Sequence, residues 1–306
     1  MAEGRCLGVV HLSPASPHRG RANTHGGRHI MRQGLLLMMG ALLLSACVQG
    51  RSREVLREPS ATGAVSESEF KALHTLREDA PPAPKGQEVE VAGTKAYLSL
   101  PQGAQGPLPA VIVIHEWWGL NDHIRHWTDR LAAEGYAALA VDLYGGKVAT
   151  SRDEALALLK AVDPARAQET LTAAHTFLQQ DARVQAPRTG TIGWCFGGGW
   201  SLHAAMAMPE LDAAVLYYGN PVTEARELAA IRAPVLGIFG TKDPSIPLET
   251  VQAFRQALDD AGVRHYILEF EAEHAFANPS SERYDAQAAA GAWQQVAAFL
   301  DQHLRQ

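Results

Sequence analysis

Cysteine is scarce in this chain. Its 306 residues hold three, Cys6, Cys47 and Cys195. No paired spacing among them marks a disulfide framework or a zinc site. His115, Glu116 and His274 have no cysteine at ligand spacing either, so the sequence reads as free of metal and of cofactor. There is no dense basic block, and the formal net charge is −6, which excludes nucleic acid as a partner. There is no internal repeat. The most apolar stretch, residues 34–44, is too short to span a bilayer. What remains is 46% hydrophobic and 20% charged, enough to build a sizeable core.

The apolar stretch follows Met31-Arg32 and ends in Leu44-Ser45-Ala46-Cys47. A positive start, a short apolar run and small residues before a cysteine resemble the signal and lipobox of bacterial lipoproteins. That resemblance implies a signal over 31–46, cleavage before Cys47 and a lipid on Cys47. Residues 1–30 then read as an upstream extension absent from the mature protein. An ordinary cleaved signal or an apolar N-terminal helix is the alternative. The lipid would place the protein on a bacterial membrane, in the cell envelope and facing the periplasm. Val48 stands where an aspartate would signal inner-membrane retention, so the outer membrane is expected. Cys195 would be the mature chain's one free thiol, and a monomer is expected. Residues 47–86 are polar and carry Pro81-Pro82-Ala83-Pro84, the mark of a tether. Residues 67–76 can form a short helix there, with nothing obliging it to pack.

The pattern changes near Lys85. Residues 88–91 and 95–100 alternate around Gly93 as a hairpin does. Residues 110–114 form an apolar run without alternation, which suits a strand buried on both faces. A helix is expected over 122–134, with Asp122 as N-cap and Arg125 solvated or paired with Asp129. Further strands are expected at 136–141, 191–193, 213–218, 235–240 and 265–270. Helices are expected at 152–160, 164–178, 197–208, 248–261 and 283–304. This alternation predicts an α/β fold: one catalytic domain over 87–306, with a mostly parallel central sheet and helices on both faces. Function in such sheets collects at the carboxyl ends of the strands.

Cys195 sits at such an end, in Gly193-Trp194-Cys195-Phe196-Gly197-Gly198-Gly199. This is a Gly-x-nucleophile-x-Gly turn from strand to helix, and it should hold the sulfur exposed above the sheet. A cysteine attacks as thiolate and needs a base. His274, after the last strand, is the candidate. Asp243, after strand 235–240, is the acid that would hold its tautomer. The order nucleophile, acid, base is that of α/β-hydrolases. His203 and His303 lie within helices, and His265 lies at the wrong end of a strand. By elbow geometry the Phe196 amide is one oxyanion donor.

Three further segments sharpen the reading: His115-Glu116-Trp117-Trp118-Gly119-Leu120-Asn121, Ala140-Val141-Asp142-Leu143-Tyr144 and Glu273-His274-Ala275-Phe276. With the cysteine elbow they make residues 88–304 similar to the dienelactone hydrolase (carboxymethylenebutenolidase) family, whose fold is that of the α/β-hydrolases. The resemblance implies that Glu116 contacts the resting thiol and changes partner when substrate enters. It implies that the Trp117 amide is the second oxyanion donor. Family members that act on dienelactone hold its carboxylate with two arginines. Arg152 matches the first, but Asn278 stands at the second and cannot supply charge. Trp118 and Tyr144 are candidates for an aromatic pocket. The function implied is hydrolysis of a small ester or lactone through a Cys195 thioester, with a Cys195–Asp243–His274 triad. A non-catalytic, ligand-binding envelope lipoprotein on the same fold is the alternative. A thiol redox protein would need a resolving cysteine, which is missing.

Overall fold

The computed structural model describes residues 64–75 and 81–305. Cys47, the signal-like segment and the upstream extension lie outside the described residues. Short β-branched and alanine runs form the strands, and from β3 onward each strand leads into a helix. In chain order the strands are β1 (Gln87–Val91), β2 (Thr94–Ser99), β3 (Ala110–Ile114), β4 (Ala137–Val141), β5 (Thr189–Trp194), β6 (Ala213–Tyr217), β7 (Val235–Gly240) and β8 (His265–Phe270). The helices are α1 (Glu67–Ala72), α2 (Asp122–Ala133), α3 (Arg152–Lys160), α4 (Pro164–Gln180), α5 (Phe196–Ala207), α6 (Ala225–Leu228), α7 (Leu248–Asp260) and α8 (Ala286–Leu304). Among the described residues no helix is long and apolar enough to cross a membrane.

One eight-stranded sheet runs in the order β1-β2-β4-β3-β5-β6-β7-β8. β1 pairs antiparallel with β2, and β2 with β4; every other pair is parallel. The strands divide their side chains between two cores. Val111, Val113, Ala138 and Ala140 pack with Trp127 and Leu131 of α2 and Trp293 and Phe299 of α8. Ile112, Ile114, Leu139 and Val141 pack with Leu171, Ala174 and Leu178 of α4. This is the expected mostly parallel sheet with helices on both faces. From β3 the chain crosses to β4 on one side and then returns to β5 on the other. The strand order therefore reverses between β3 and β5, and a crevice opens beyond their carboxyl ends.

Several local expectations change. Asn121, not Asp122, caps α2: its side chain accepts from the Ile124 amide at 3.2 Å. Arg125 pairs with Asp122 at 2.7 Å and reaches Glu88 at 3.5 Å, not Asp129. Asp129 turns inward and accepts from Tyr97 Oη at 2.8 Å, Ser99 Oγ at 2.7 Å and the Lys85 amide at 2.9 Å. Helix α6 has four residues, too few to leave a periodic signal. Helix α1 does pack. Ser66 and Glu69 form a capping box at its start, and Phe70 and Leu73 are buried.

Asp129 ties α2, β2 and the approach to β1 together. Asp129→Ala would leave three donors without their acceptor, which costs roughly 3 kcal/mol of stability. Urea unfolding of the variant checks this; a midpoint equal to wild type would show that the three bonds contribute nothing.

Candidate active site

The elbow is built by steric exclusion. A Cβ on Gly193 would strike the Gly197 carbonyl, and one on Gly197 would strike the Ile114 carbonyl. Only glycine permits that approach of β5, α5 and β3. Between them Cys195 has φ 53° and ψ −116°, a conformation side chains disfavour. It persists because both flanks are fixed: the Cys195 amide donates to Tyr217 O at 2.9 Å, and the Gly199 amide donates to Cys195 O at 3.2 Å. The turn aims the sulfur over the β3–β5 crevice.

Asp243 and His274 follow neighbouring strands, β7 and β8, and meet. His274 Nδ1 donates to Asp243 Oδ2 at 2.6 Å. Asp243 Oδ1 accepts from the Ser245 amide at 2.8 Å and from Ser245 Oγ at 2.6 Å. Having given its proton to Asp243, Ser245 Oγ accepts from His274 Nδ1 at 3.1 Å. The proton of His274 is thereby fixed on Nδ1 in the neutral ring. Nε2 is left buried and without a hydrogen-bond partner, and the ring presents a nitrogen within 4.8 Å of the sulfur.

Charge follows burial and these contacts. Burial pushes the Cys195 thiol up; the His274 charge pulls it back and the Glu116 carboxylate adds to the rise, so the resting sulfur is a thiol. Burial alone would lower His274, but the Asp243 charge and hydrogen bond hold it well above the usual range. Burial would likewise raise Asp243; the His274 charge and the bonds from His274 and Ser245 keep it low. Burial, reinforced by the His274 charge, holds His74 well below the usual range, so that ring is neutral.

The β3 loop is set by His115. Its Nε2 accepts from the Leu143 amide at 3.0 Å, so Nδ1 carries the proton and donates to Glu116 O at 2.6 Å. Glu116 follows and is buried. Asn278 Nδ2 donates to its Oε2 at 2.5 Å, while Oε1 has no partner. The resemblance led us to expect Glu116 on the resting thiol. Asn278 takes that carboxylate instead, and the thiol faces His74, whose Nε2 is 3.3 Å from Sγ.

A cavity of about 730 Å³ has Cys195 and His274 in its wall, with Phe196 and Ser245 beside them. Its apolar surface comes from residues such as Phe70, Leu159, Trp200, Val222 and Ile246. None of the four expected substrate contacts lines it. Arg152 is exposed and its Nη1 donates to Lys71 O at 3.2 Å, because α1 lies where its side chain extends. Asn278 is turned to Glu116 and to Ser280. Trp118 packs edge-on against Trp117, and Tyr144 packs on His115 and Phe196, so both serve the loop rather than the cavity. Cys195 itself is 5% exposed, not open as the elbow alone predicts, because α1 and His74 cover it. Sequence reading missed His74 and Ser245, and it named His115 without the loop-setting role it has. The capping box Ser66–Glu69 was the available signal for α1, and Asp-Pro-Ser after β7 was the signal for the Ser245 turn.

Burial raises Glu116 from 4.5 to about 7, partly offset by the His274 charge and the Asn278 bond. Such a group stabilises the fold fully below pH 4.5 and loses that contribution as pH rises through 7. Glu116→Gln keeps an acceptor for Asn278 and never ionises. Its stability relative to wild type should therefore grow between pH 4.5 and 8, by up to about 3 kcal/mol. Thermal unfolding across that range measures it, and a difference independent of pH would contradict the raised value.

The Dienelactone hydrolase family matches residues 94–304. A candidate carboxymethylenebutenolidase of Synechocystis is 32% identical over 240 residues, covering 72% of this chain and 94% of that protein. One from Escherichia coli K12 is 33% identical over 227 residues, covering 68% and 82%. Among solved structures, a candidate dienelactone hydrolase from Klebsiella pneumoniae superposes with a TM-score of 0.66 at 33% identity, covering 72% of this chain and 99% of its own. A dienelactone hydrolase-like promiscuous phosphotriesterase from metagenomic libraries superposes with a TM-score of 0.64 at 29% identity, with the same coverage. With the match running from β2 to α8 and including the elbow and the strand ends that carry Asp243 and His274, the chain belongs to the dienelactone hydrolase family of α/β-hydrolases.

Proposed function

We propose that this hydrolase cleaves small, neutral, largely apolar esters or lactones through a thioester on Cys195. The observation that carries the reading is the 2.6 Å bond from His274 Nδ1 to Asp243, which leaves Nε2 without a hydrogen-bond partner and makes it a strong base for the thiol proton, because Asp243 stabilises the imidazolium. The Cys195 proton passes to His274 Nε2 as Sγ attacks the carbonyl carbon. The amides of Phe196 and Trp117 hold the oxyanion. The tetrahedral intermediate expels the alkoxide, which takes its proton from His274; in a lactone that alkoxide stays tethered. Water, activated by the same imidazole, then releases the acid and restores the thiol. Burial keeps the thiol protonated at rest, with the Glu116 charge adding to it, which also slows its over-oxidation.

The preference for neutral substrates rests on the cavity wall. Among the described residues no arginine or lysine lines it, and its one carboxylate is Glu227. An anionic substrate would lose hydration there without gaining an arginine or lysine partner. The two-arginine clamp of dienelactone specificity has no counterpart, with Arg152 committed to α1 and Asn278 to Glu116. The non-catalytic alternative gains nothing from a buried Asp–His pair aimed at a thiol.

Initial rates on short aryl esters, neutral lactones and dienelactone, for wild type and Cys195→Ala, provide the test. Wild type should favour the neutral substrates, and Cys195→Ala should lose about 10³-fold or more in kcat/KM. Equal rates for the two proteins would remove Cys195 as nucleophile. We also propose that Cys47 carries a lipid that anchors the protein to the cell envelope, on the basis of Leu44-Ser45-Ala46-Cys47. Mass spectrometry of the membrane-fractionated protein should find an acylated residue 47; an unmodified cysteine there would refute the anchor.

A further inference from the structure

The segment ahead of the family-matched domain delivers a side chain to the nucleophile. It is held at many points. The Ala64 amide donates to Ser245 O at 2.8 Å, and the Glu282 amide donates to Thr75 O at 3.1 Å. Arg152 and Arg283 each donate to a carbonyl near the end of α1, Lys71 O and Ala72 O, both at 3.2 Å. Lys71 pairs with Asp153 at 2.6 Å, and Glu67 pairs with Lys160. Docked this way, the His74 ring lies 4.3 Å from the Trp117 ring and 5.0 Å from the His274 ring.

The two imidazoles are prepared alike. His74 Nδ1 meets the Phe70 carbonyl at 2.7 Å, and His274 Nδ1 meets the Asp243 carboxylate at 2.6 Å. Both partners only accept, so in each neutral ring the proton sits on Nδ1 and Nε2 offers a lone pair. His74 Nε2 is 3.3 Å from Sγ. One donor atom from each of His74, Cys195 and His274 lies within 4.8 Å of the others. A ring nitrogen anchored by an oxygen acceptor, with the other nitrogen free, is how metal-bound histidines are held.

We propose that His74, Cys195 and His274 form a three-ligand site for zinc or a similar thiophilic divalent cation, completed only when α1 is docked, and that the bound ion shuts the enzyme off. Zinc bonds of about 2.3 Å to sulfur and 2.0–2.1 Å to nitrogen place tetrahedral ligands about 3.3–3.6 Å apart. The His74–Cys195 pair already has that spacing; the remaining pairs, within 4.8 Å, need to close by up to about 1.5 Å. On binding, Cys195 loses its proton to solvent and forms a sulfur–metal bond, and any proton that Asp243 holds on His274 Nε2 leaves to solvent as that nitrogen bonds the ion. The thiolate and the Asp243 carboxylate then match the two charges of the ion. The fourth position faces the cavity and takes water. The ion engages the nucleophile and its base together and pins α1 over them. In the same docked state the His74 ring already stands at the distance a carbonyl carbon needs for attack, about 3–3.5 Å.

Cobalt(II) titrated into the metal-free full chain is the probe. One ion per chain should bind, with a thiolate-to-cobalt charge-transfer band and tetrahedral visible bands, and zinc should displace it. His74→Ala and Cys195→Ser, each verified as folded by near-ultraviolet circular dichroism, separate the contributions. Cys195→Ser should lose the charge-transfer band. His74→Ala should weaken binding by about 100-fold or more. Inhibition of ester hydrolysis by zinc should track the optical affinity and reverse with a chelator. Unchanged cobalt affinity in His74→Ala, a band that survives Cys195→Ser, or no stoichiometric binding would each overturn the site. The spectrum needs no turnover, so a protein that binds cobalt as described but cleaves no ester would refute the proposed function and leave the metal site standing.

Discussion

Everything at the site depends on two backbones touching. Gly193 ends β5 against the Gly197 carbonyl, and Gly197 rests on the carbonyls of Ile114 and His115. No side chain fits in either gap. The contact forces Cys195 into its positive φ and fixes the start of α5 against the end of β3. It therefore sets the sulfur, the Phe196 amide and the Trp117 loop relative to one another in a single step. A looser turn would leave the Cys195 side chain free to rotate away from both His274 and the Phe196 amide.

The electrostatics then follow from depth. Cys195, His274, Asp243 and Glu116 are all buried, so each charge acts on the others through a poorly screening medium. Asp243 answers its own desolvation with three hydrogen-bond donors besides His274, which is why it stays ionised. Glu116 has one donor, Asn278, and an orphaned oxygen, so burial wins and its carboxyl is raised to about 7. The two acids differ in partners rather than in depth. One is equipped to orient an imidazolium; the other gains or loses a proton near neutrality and changes the thiol's surroundings as it does so.

Much of this architecture was legible in the sequence because it is local. A run such as Ala110–Ile114 declares a strand buried on both faces, and β7 and β8 fall at the bounds their apolar runs set. The elbow is legible because its glycines answer a steric demand. Asp243 and His274 are legible because each follows a strand, and the structure brings them together. Features that depend on distant partners were not legible. Arg152 is a fair carboxylate ligand by composition, yet it caps a helix 81 residues away. Asn278 at the place of an arginine reads as half a clamp, yet it serves Glu116 across 162 residues. Polar composition argued that the stretch before Pro81 had no reason to pack. Two apolar residues, Phe70 and Leu73, supplied the reason.

The packing of α1 bears on how Cys195 is reached. A six-residue helix has no stability of its own, because nucleation costs more than so few backbone bonds return. The exposed pairs Lys71–Asp153 and Lys160–Glu67 add little in water. What holds α1 is the burial of Phe70, Leu73 and His74 and the backbone hydrogen bonds at its ends. Helix formation and docking are therefore one event, and the burial of Cys195 depends on that event. A group that must stand where His74 stands can reach the sulfur only if α1 gives way. Access to the sulfur is thus governed by the segment that composition alone would assign to a passive tether.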